Sequence, residues 1–306
     1  MNDHLSDNLL ATSESAEPGP SRPVVLLLLG GWGVAPAVEA NFIRSSKIDN
    51  WLNLIKEYPV ALLKTSGKNL NVRYATLGAG REISDENESV AQTLTKVLAH
   101  AGKRQLKIFE TERFAALTHF YNGGATVKDI GEEWVAVSSE NRAKTLKLSL
   151  ALKRAVKEII KALANPVPYD LIVATIPTVD LAASSGDLDG VKKAVAELDK
   201  NLKIIVNEVL DKKSVLLISS AAGNAEKMIL PGTDSVDSGL TENPVPLVVV
   251  GEEFAGQTIG LADPLNNDLS LLEPAGTLAD VAPTILSIMN LPQPPEMSGQ
   301  SLFAKK

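Results

Sequence analysis

The hydrophobic positions of this chain fall into short unbroken runs, separated by longer stretches in which apolar residues recur at helical spacing. Residues 23–29 (PVVLLLL) are apolar on both faces and end at Gly30 and Gly31. Such a run predicts a strand buried in the middle of a parallel sheet. Similar runs at 169–176, 215–219 and 245–250 predict further central strands, and a shorter one is expected near 60–64. Residues 106–109 and 115–121 also read as strands. Helical spacing predicts helices over 50–58, 90–102 with Gly102 as the stop, 146–163, 188–210 and 278–289. The acidic stretch 82–88 predicts an exposed loop, and the chain closes on a proline-rich segment at 292–295.

Strands and helices alternate from one end to the other, and no internal repeat interrupts them. That order predicts an α/β fold: a three-layer αβα sandwich with a mostly parallel central sheet. Ligands of such sheets sit beyond the carboxyl ends of the strands. Chemistry is therefore expected just after Leu29, Thr175 and Ser219, and around 239–243. Those segments read GGWG, IPTVDLAASSG, SAAGNAE and SGLTENPVP. They place one carboxylate at a strand end, Asp180. A binuclear metal centre needs several carboxylates and imidazoles converging within coordination distance, which Asp180 cannot supply alone.

Composition narrows the field further. The 306 residues are 44% hydrophobic and 22% charged, enough for a substantial core. A formal charge of -7 argues against nucleic acid as a partner, because phosphate binding needs a basic surface. The chain has no cysteine, which excludes disulfides and thiolate ligands, and only three histidines: His4, His100 and His119. Residues 1–22 are polar and acidic, without the basic start and long apolar run of a signal peptide, and predict a solvated tail. No early apolar run is long enough to span a bilayer. A cytoplasmic protein with no membrane partner is expected.

Seven stretches in order carry a resemblance: VVLLLLGGWGVAP (24–36), LGAGR (77–81), LKIFETERFAALTHFYNGG (106–124), YDLIVATIPTVD (169–180), AAGNAEKM (221–228), ENPVPLVVVG (242–251) and the segment 278–302. Together they resemble the phosphatase domain of the cofactor-independent phosphoglycerate mutases, in the alkaline phosphatase superfamily. The match covers most of 23–81 and 104–303. The resemblance implies an alkaline-phosphatase-like fold. It also implies, for the family, two manganese or magnesium ions and a transiently phosphorylated serine.

The same resemblance marks where this sequence departs. The first metal aspartate of the family falls on Gly30. Asp180 matches the next one, but the histidine four residues on falls on Ser184. An Asp-His pair falls on Ala221 and Ala222, and the last histidine on Leu240. The glycine-rich stretch with the serine nucleophile is missing before 75–81. The catalytic lysine falls on Arg113 and a neighbouring histidine on Ala116. The family's inserted domain is replaced by a short segment near 82–103, too few residues for a domain. This leaves a tail over 1–22 and one phosphatase-like α/β domain over 23–306.

The expectation is a pseudoenzyme with no catalytic residues, no bound metal and no cofactor, acting through a protein partner or a small anion. Removing the ligands together with the nucleophile leaves nothing to stabilise a transferring phosphoryl group. Arg81 and Arg113 are candidate anion binders, since the guanidinium fork fits oxyanions; the plainer expectation pairs each with a carboxylate to hold a loop. Ser184, Ser185, Ser219 and Ser220 have no base beside them in sequence. His119 is expected half-buried on a strand. Asn122 to Gly124 and Asn224 to Glu226 are expected to turn the chain and cap a helix. The alternative is a metal-dependent phosphomutase or phosphohydrolase with a rebuilt site, drawing Asp187, Asp189, Asp234 or Asp237 to the strand ends. A purely structural subunit, docking through the tail or the 82–88 loop, is a third expectation.

Overall fold

A computed structural model describes residues 22–138, 145–259 and 267–303. The acidic tail expected over 1–22 lies almost wholly outside the described residues. Eight strands form one sheet in the order β4-β3-β5-β1-β6-β7-β2-β8. They are β1 (Val24–Leu29), β2 (Val60–Lys64), β3 (Gln105–Glu110), β4 (Glu132–Val137), β5 (Leu171–Ile176), β6 (Val215–Ser219), β7 (Val245–Val250) and β8 (Gly276–Thr277). Only β7 runs antiparallel to its neighbours β6 and β2. β1 lies between β5 and β6, with Leu28 level with Thr175 on one side and Ser219 on the other. Every residue of β1, β5, β6 and β7 is buried, as double-sided apolar runs demand.

The helices cover both faces. On one lie α1 (Asp49–Glu57), α4 (Thr145–Leu163), α5 (Thr178–Ser184) and α6 (Leu188–Asp211), packed on Val25, Leu27, Ile108, Ile172 and Ile218. On the other lie α2 (Leu70–Ala79), α3 (Leu94–His100) and α7 (Val281–Ile288), packed on Leu26, Leu28, Leu63, Phe109 and Leu217. This is the three-layer αβα sandwich that the alternating pattern predicts. Among the described residues no helix is long and apolar enough to cross a membrane.

Several elements differ from the sequence expectation. Residues 115–121 are helical: a π-helical turn spans Ala116–Phe120, after a 3₁₀ turn at Thr111–Arg113. Leu117 and Tyr121, four apart, both bury toward α2, so a short apolar run that alternates in sequence also satisfies helical spacing. His119 therefore sits half-buried on a helical turn and not a strand, its Nδ1 2.9 Å from the Ala125 carbonyl oxygen. The helix expected over 90–102 is shorter, starting at Leu94 where the Thr93 hydroxyl caps the Lys96 N–H. Gly102 is the stop: its φ of 67° is the left-handed conformation glycine adopts freely. The elements β4, α2 and α5 were not expected. The residues between Arg81 and Lys103 form the 82–88 loop and α3; Asn69 and Asn71 at the start of α2 hold that loop through Glu86, at 3.2 and 2.8 Å.

Candidate functional site

The carboxyl ends of β1, β3, β5 and β6 meet at one small cleft. Gly30, Gly31, Leu70, Tyr74, Arg113, Asp180, Ala221, Ala222 and Leu240 line it, and it measures about 240 Å³ counted out to its open mouth. Six of the positions singled out in sequence are thus brought together: Gly30, Arg113, Asp180, Ala221, Ala222 and Leu240. Ser184 is not among them; it ends α5 exposed to solvent. Arg81 is also elsewhere, paired with Glu88 at 2.7 Å.

Local chain geometry explains the cleft. β5 passes directly into α5, which places Asp180 in the first turn of the helix and buries it beside β1. The Asp180 N–H donates to the Gly30 carbonyl at 3.2 Å, and the Gly30 N–H donates to that of Ile176 at 2.9 Å. α5 packs so closely that a Cβ at Gly30 would lie 2.9 Å from the Pro177 Cα and 3.1 Å from the Asp180 Cβ. No aspartate fits at position 30 unless α5 moves.

Arg113 reaches the cleft from the 3₁₀ turn after β3 and donates from Nη2 to Asp180 Oδ2. The Asn224 amide donates to the other carboxylate oxygen at 3.3 Å. Tyr74 reaches in from α2, and burial pushes its phenol up to about 12, with Arg113 opposing and Asp180 adding to that shift. It stays neutral. Ala221 and Ala222 form a tight turn in which the Ser220 hydroxyl donates to the Ala222 carbonyl at 2.7 Å.

A second carboxylate organises the loops beside the cleft. Glu226 is buried and accepts from the Gly33 N–H at 3.2 Å, the Asn224 N–H at 2.8 Å, the Asn243 amide at 3.0 Å and the Thr241 hydroxyl. It joins the turn after β1, the loop after β6 and the segment before β7. The Arg73 guanidinium adds a bond to the Thr241 carbonyl at 3.0 Å. Sequence reasoning took Asn224 to Glu226 for a turn and cap, and missed Glu226 as a hub and Tyr74 altogether. The visible signal was a glutamate two residues past an asparagine at a strand end.

The residues present do not fit a pair of divalent cations. Asp180 is one donor and its charge is already matched by Arg113. Among the described residues, no three histidine, aspartate or glutamate side chains converge as a metal site would require. Asp187 is spent capping α6 through the Gly190 N–H at 2.9 Å, and Asp237 accepts from Gly239 N–H at 3.1 Å. Neither these nor Asp189 and Asp234 line the cleft.

Comparison with known proteins gives the chain's kinship and fold. The family model of the metalloenzyme superfamily matches residues 22–293. The chain is 37% identical over 221 residues to the 2,3-bisphosphoglycerate-independent phosphoglycerate mutase of Desulforudis audaxviator, and 36% identical over 218 residues to that of Thiobacillus denitrificans. Each match covers 71% of this chain but 39% of the relative, so the chain spans well under half the length of these curated relatives. Among solved structures, the phosphoglycerate mutase of Leishmania mexicana superposes with a TM-score of 0.59 at 20% identity, covering 69% of this chain and 39% of that one. A protein in the alkaline phosphatase superfamily from Vibrio parahaemolyticus gives 0.60 at 15%, covering 93% and 70%. Sequence match and shared fold together place the chain in the metalloenzyme superfamily, related to the 2,3-bisphosphoglycerate-independent phosphoglycerate mutases on an alkaline-phosphatase-like fold.

Proposed function

We propose that this protein is a pseudoenzyme of its superfamily, acting by binding a protein or a small anion and not by phosphoryl transfer. One observation carries this: the one carboxylate lining the cleft, Asp180, is paired with Arg113, and position 30 has no room for a side chain unless α5 moves. Phosphoryl transfer needs an activated nucleophile and concentrated positive charge on the transferring group. The cleft holds no serine or threonine among its lining residues, and its one cation is shared with Asp180.

Two surfaces remain for binding. An anion would reach Arg113, whose side chain is 14% exposed at the cleft, by displacing the Asp180 carboxylate from it. The rim beyond it, with Leu240 and Phe114 exposed, suits a protein. The test is turnover: purified protein is incubated with manganese and either 3-phosphoglycerate or a generic phosphate ester, and its metal content is measured without chelator. We expect no turnover and no stoichiometric manganese or zinc. Turnover that Asp180→Ala abolishes refutes the proposal.

A further inference from the structure

The retained Asp180 poses a question that the loss of its companions sharpens. Burying a carboxylate is costly unless it is paired, and this one is paired with a guanidinium. Arg113 stands where the family resemblance puts a lysine. A planar fork can grip a carboxylate more firmly than a point ammonium does.

We propose that Asp180 acts as a built-in plug: it occupies the anion-binding face of Arg113 from within, so the cleft admits neither a divalent cation nor a free oxyanion. This rests on the reading of the site as non-catalytic and narrows it, because an intact plug leaves a protein as the partner to seek. Three observations support it. Asp180 is 6% exposed in its side chain and is fixed on both oxygens, by Arg113 on one and the Asn224 amide on the other. Its backbone is tied to Gly30, so the carboxylate is held at the guanidinium by the fold itself. A tethered group of this kind acts at an effective concentration that free ligand in millimolar solution does not match. The third is Tyr74: 3% exposed, it lines the same cleft beside the pair and offers a neutral hydroxyl that an anion released from competition could use.

The experiment removes the plug. Inorganic phosphate, without metal and with chelator present, is titrated into the full chain and into Asp180→Asn, Asp180→Ala and the double variant Asp180→Asn with Arg113→Gln. Binding is read by calorimetry and by the rise in melting temperature. Asp180→Asn preserves the shape and the approach of Asn224, and so guards against a folding defect in Asp180→Ala. We expect no saturable binding by the wild type, at least about tenfold tighter binding by both single variants, and loss of that gain in the double variant. Wild-type binding as tight as that of the variants overturns the plug, and so does a folded Asp180→Asn that binds no better than wild type. Neither result bears on turnover, so failure of the plug and failure of the non-catalytic reading are told apart.

Discussion

Two cation–carboxylate pairs, one inside β3 and one on the turn that follows it, are built differently. Lys107, in the middle of β3, is 1% exposed and meets Glu132 of β4 at 2.6 Å. Its ammonium also donates to Thr95 of α3 at 3.0 Å and to Asn122, and lies 5.0 Å from the Tyr121 ring. Glu132 in turn accepts from the Asn122 amide at 3.0 Å and the Asp129 N–H at 2.9 Å. Arg113, just past the end of β3, meets Asp180 with one further donor, Asn224. The inner pair is a fully bonded clasp tying β3, β4, α3 and the turn at Asn122. The outer pair is a minimal patch at the edge where the superfamily does its chemistry. The frame carries a many-bonded polar network, while the cleft carries one ion pair with a single further donor.

Breaking the clasp is expected to cost most. Lys107→Met leaves Glu132 buried without its cation and is expected to lose about 3–5 kcal/mol of stability, read from thermal or urea unfolding. The double variant with Glu132→Gln is expected to recover much of the loss, since no charge is left stranded. Burial pulls Lys107 down to about 8, with Glu132 opposing; Glu132 is pushed up by burial yet ends below the ordinary glutamate value, because Lys107 and hydrogen bonds such as that from Asn122 together outweigh burial. A Lys107→Met protein that melts like the wild type would reduce the clasp to an incidental contact.

The same strand offers a charge with no partner. Glu110 ends β3 fully buried, and neither carboxylate oxygen has a hydrogen bond. Burial pushes it up to about 7, Glu112 adds to that, and Arg113 opposes it. Its folded value lies above its unfolded one, so its stabilising contribution is full below the ordinary glutamate value of 4.5 and is lost as pH rises toward 7. The drift across that window is at most about 3 kcal/mol, and Glu110→Gln is expected to flatten it in denaturation curves measured from pH 4.5 to 8. An unchanged slope would mean that Glu110 ionises freely in the folded state. It would also mean that the orphan on β3 differs less from the clasp than its bonding suggests.

Arg113→Ala is the counterpart of Lys107→Met at the outer pair. It strands Asp180 with Asn224 alone, but the cleft is open to water, so the expected loss is smaller, about 1–3 kcal/mol. Equal losses at the two pairs would erase the distinction between frame and edge.

Much of the frame was legible because buried parallel strands leave continuous apolar runs, as at β1, β5, β6 and β7. The clasp was not, because QLKIFE and EEWVAV place charges inside strands, and a reading by polarity sends such residues to solvent. That is how β4 escaped notice. α2 carried both its brackets in sequence, Asn69 as N-cap and Gly80 in the left-handed conformation after it, but the tyrosine, threonine and glycine between them blur the helical stripe. At the site, Asp180 was legible because it follows the apolar run of β5 directly. The partner that neutralises it was not, because Arg113 arrives from 67 residues earlier in the chain. Only strand order shows that β3 and β5 are neighbours.

Arg81 gives the smallest effect and the finest discrimination. It was a candidate anion binder alongside Arg113, but it sits at the surface with Glu88, their side chains 29% and 31% exposed. The hydrogen bond from Arg81 holds the Glu88 carboxyl below its ordinary value, as expected of a pair in solvent. Exposed pairs of this kind are worth about 0–1 kcal/mol, so Arg81→Ala should barely move the melting curve. The sharper measurement places Arg81→Ala in the Asp180→Asn background and repeats the phosphate titration. If the released anion site belongs to the cleft, phosphate affinity stays as it was, because Arg81 does not line it. A large drop would show that the 81–88 loop reaches the bound anion. The edge would then extend past the Arg113–Asp180 pair, and the boundary between frame and edge would have to be redrawn through α2.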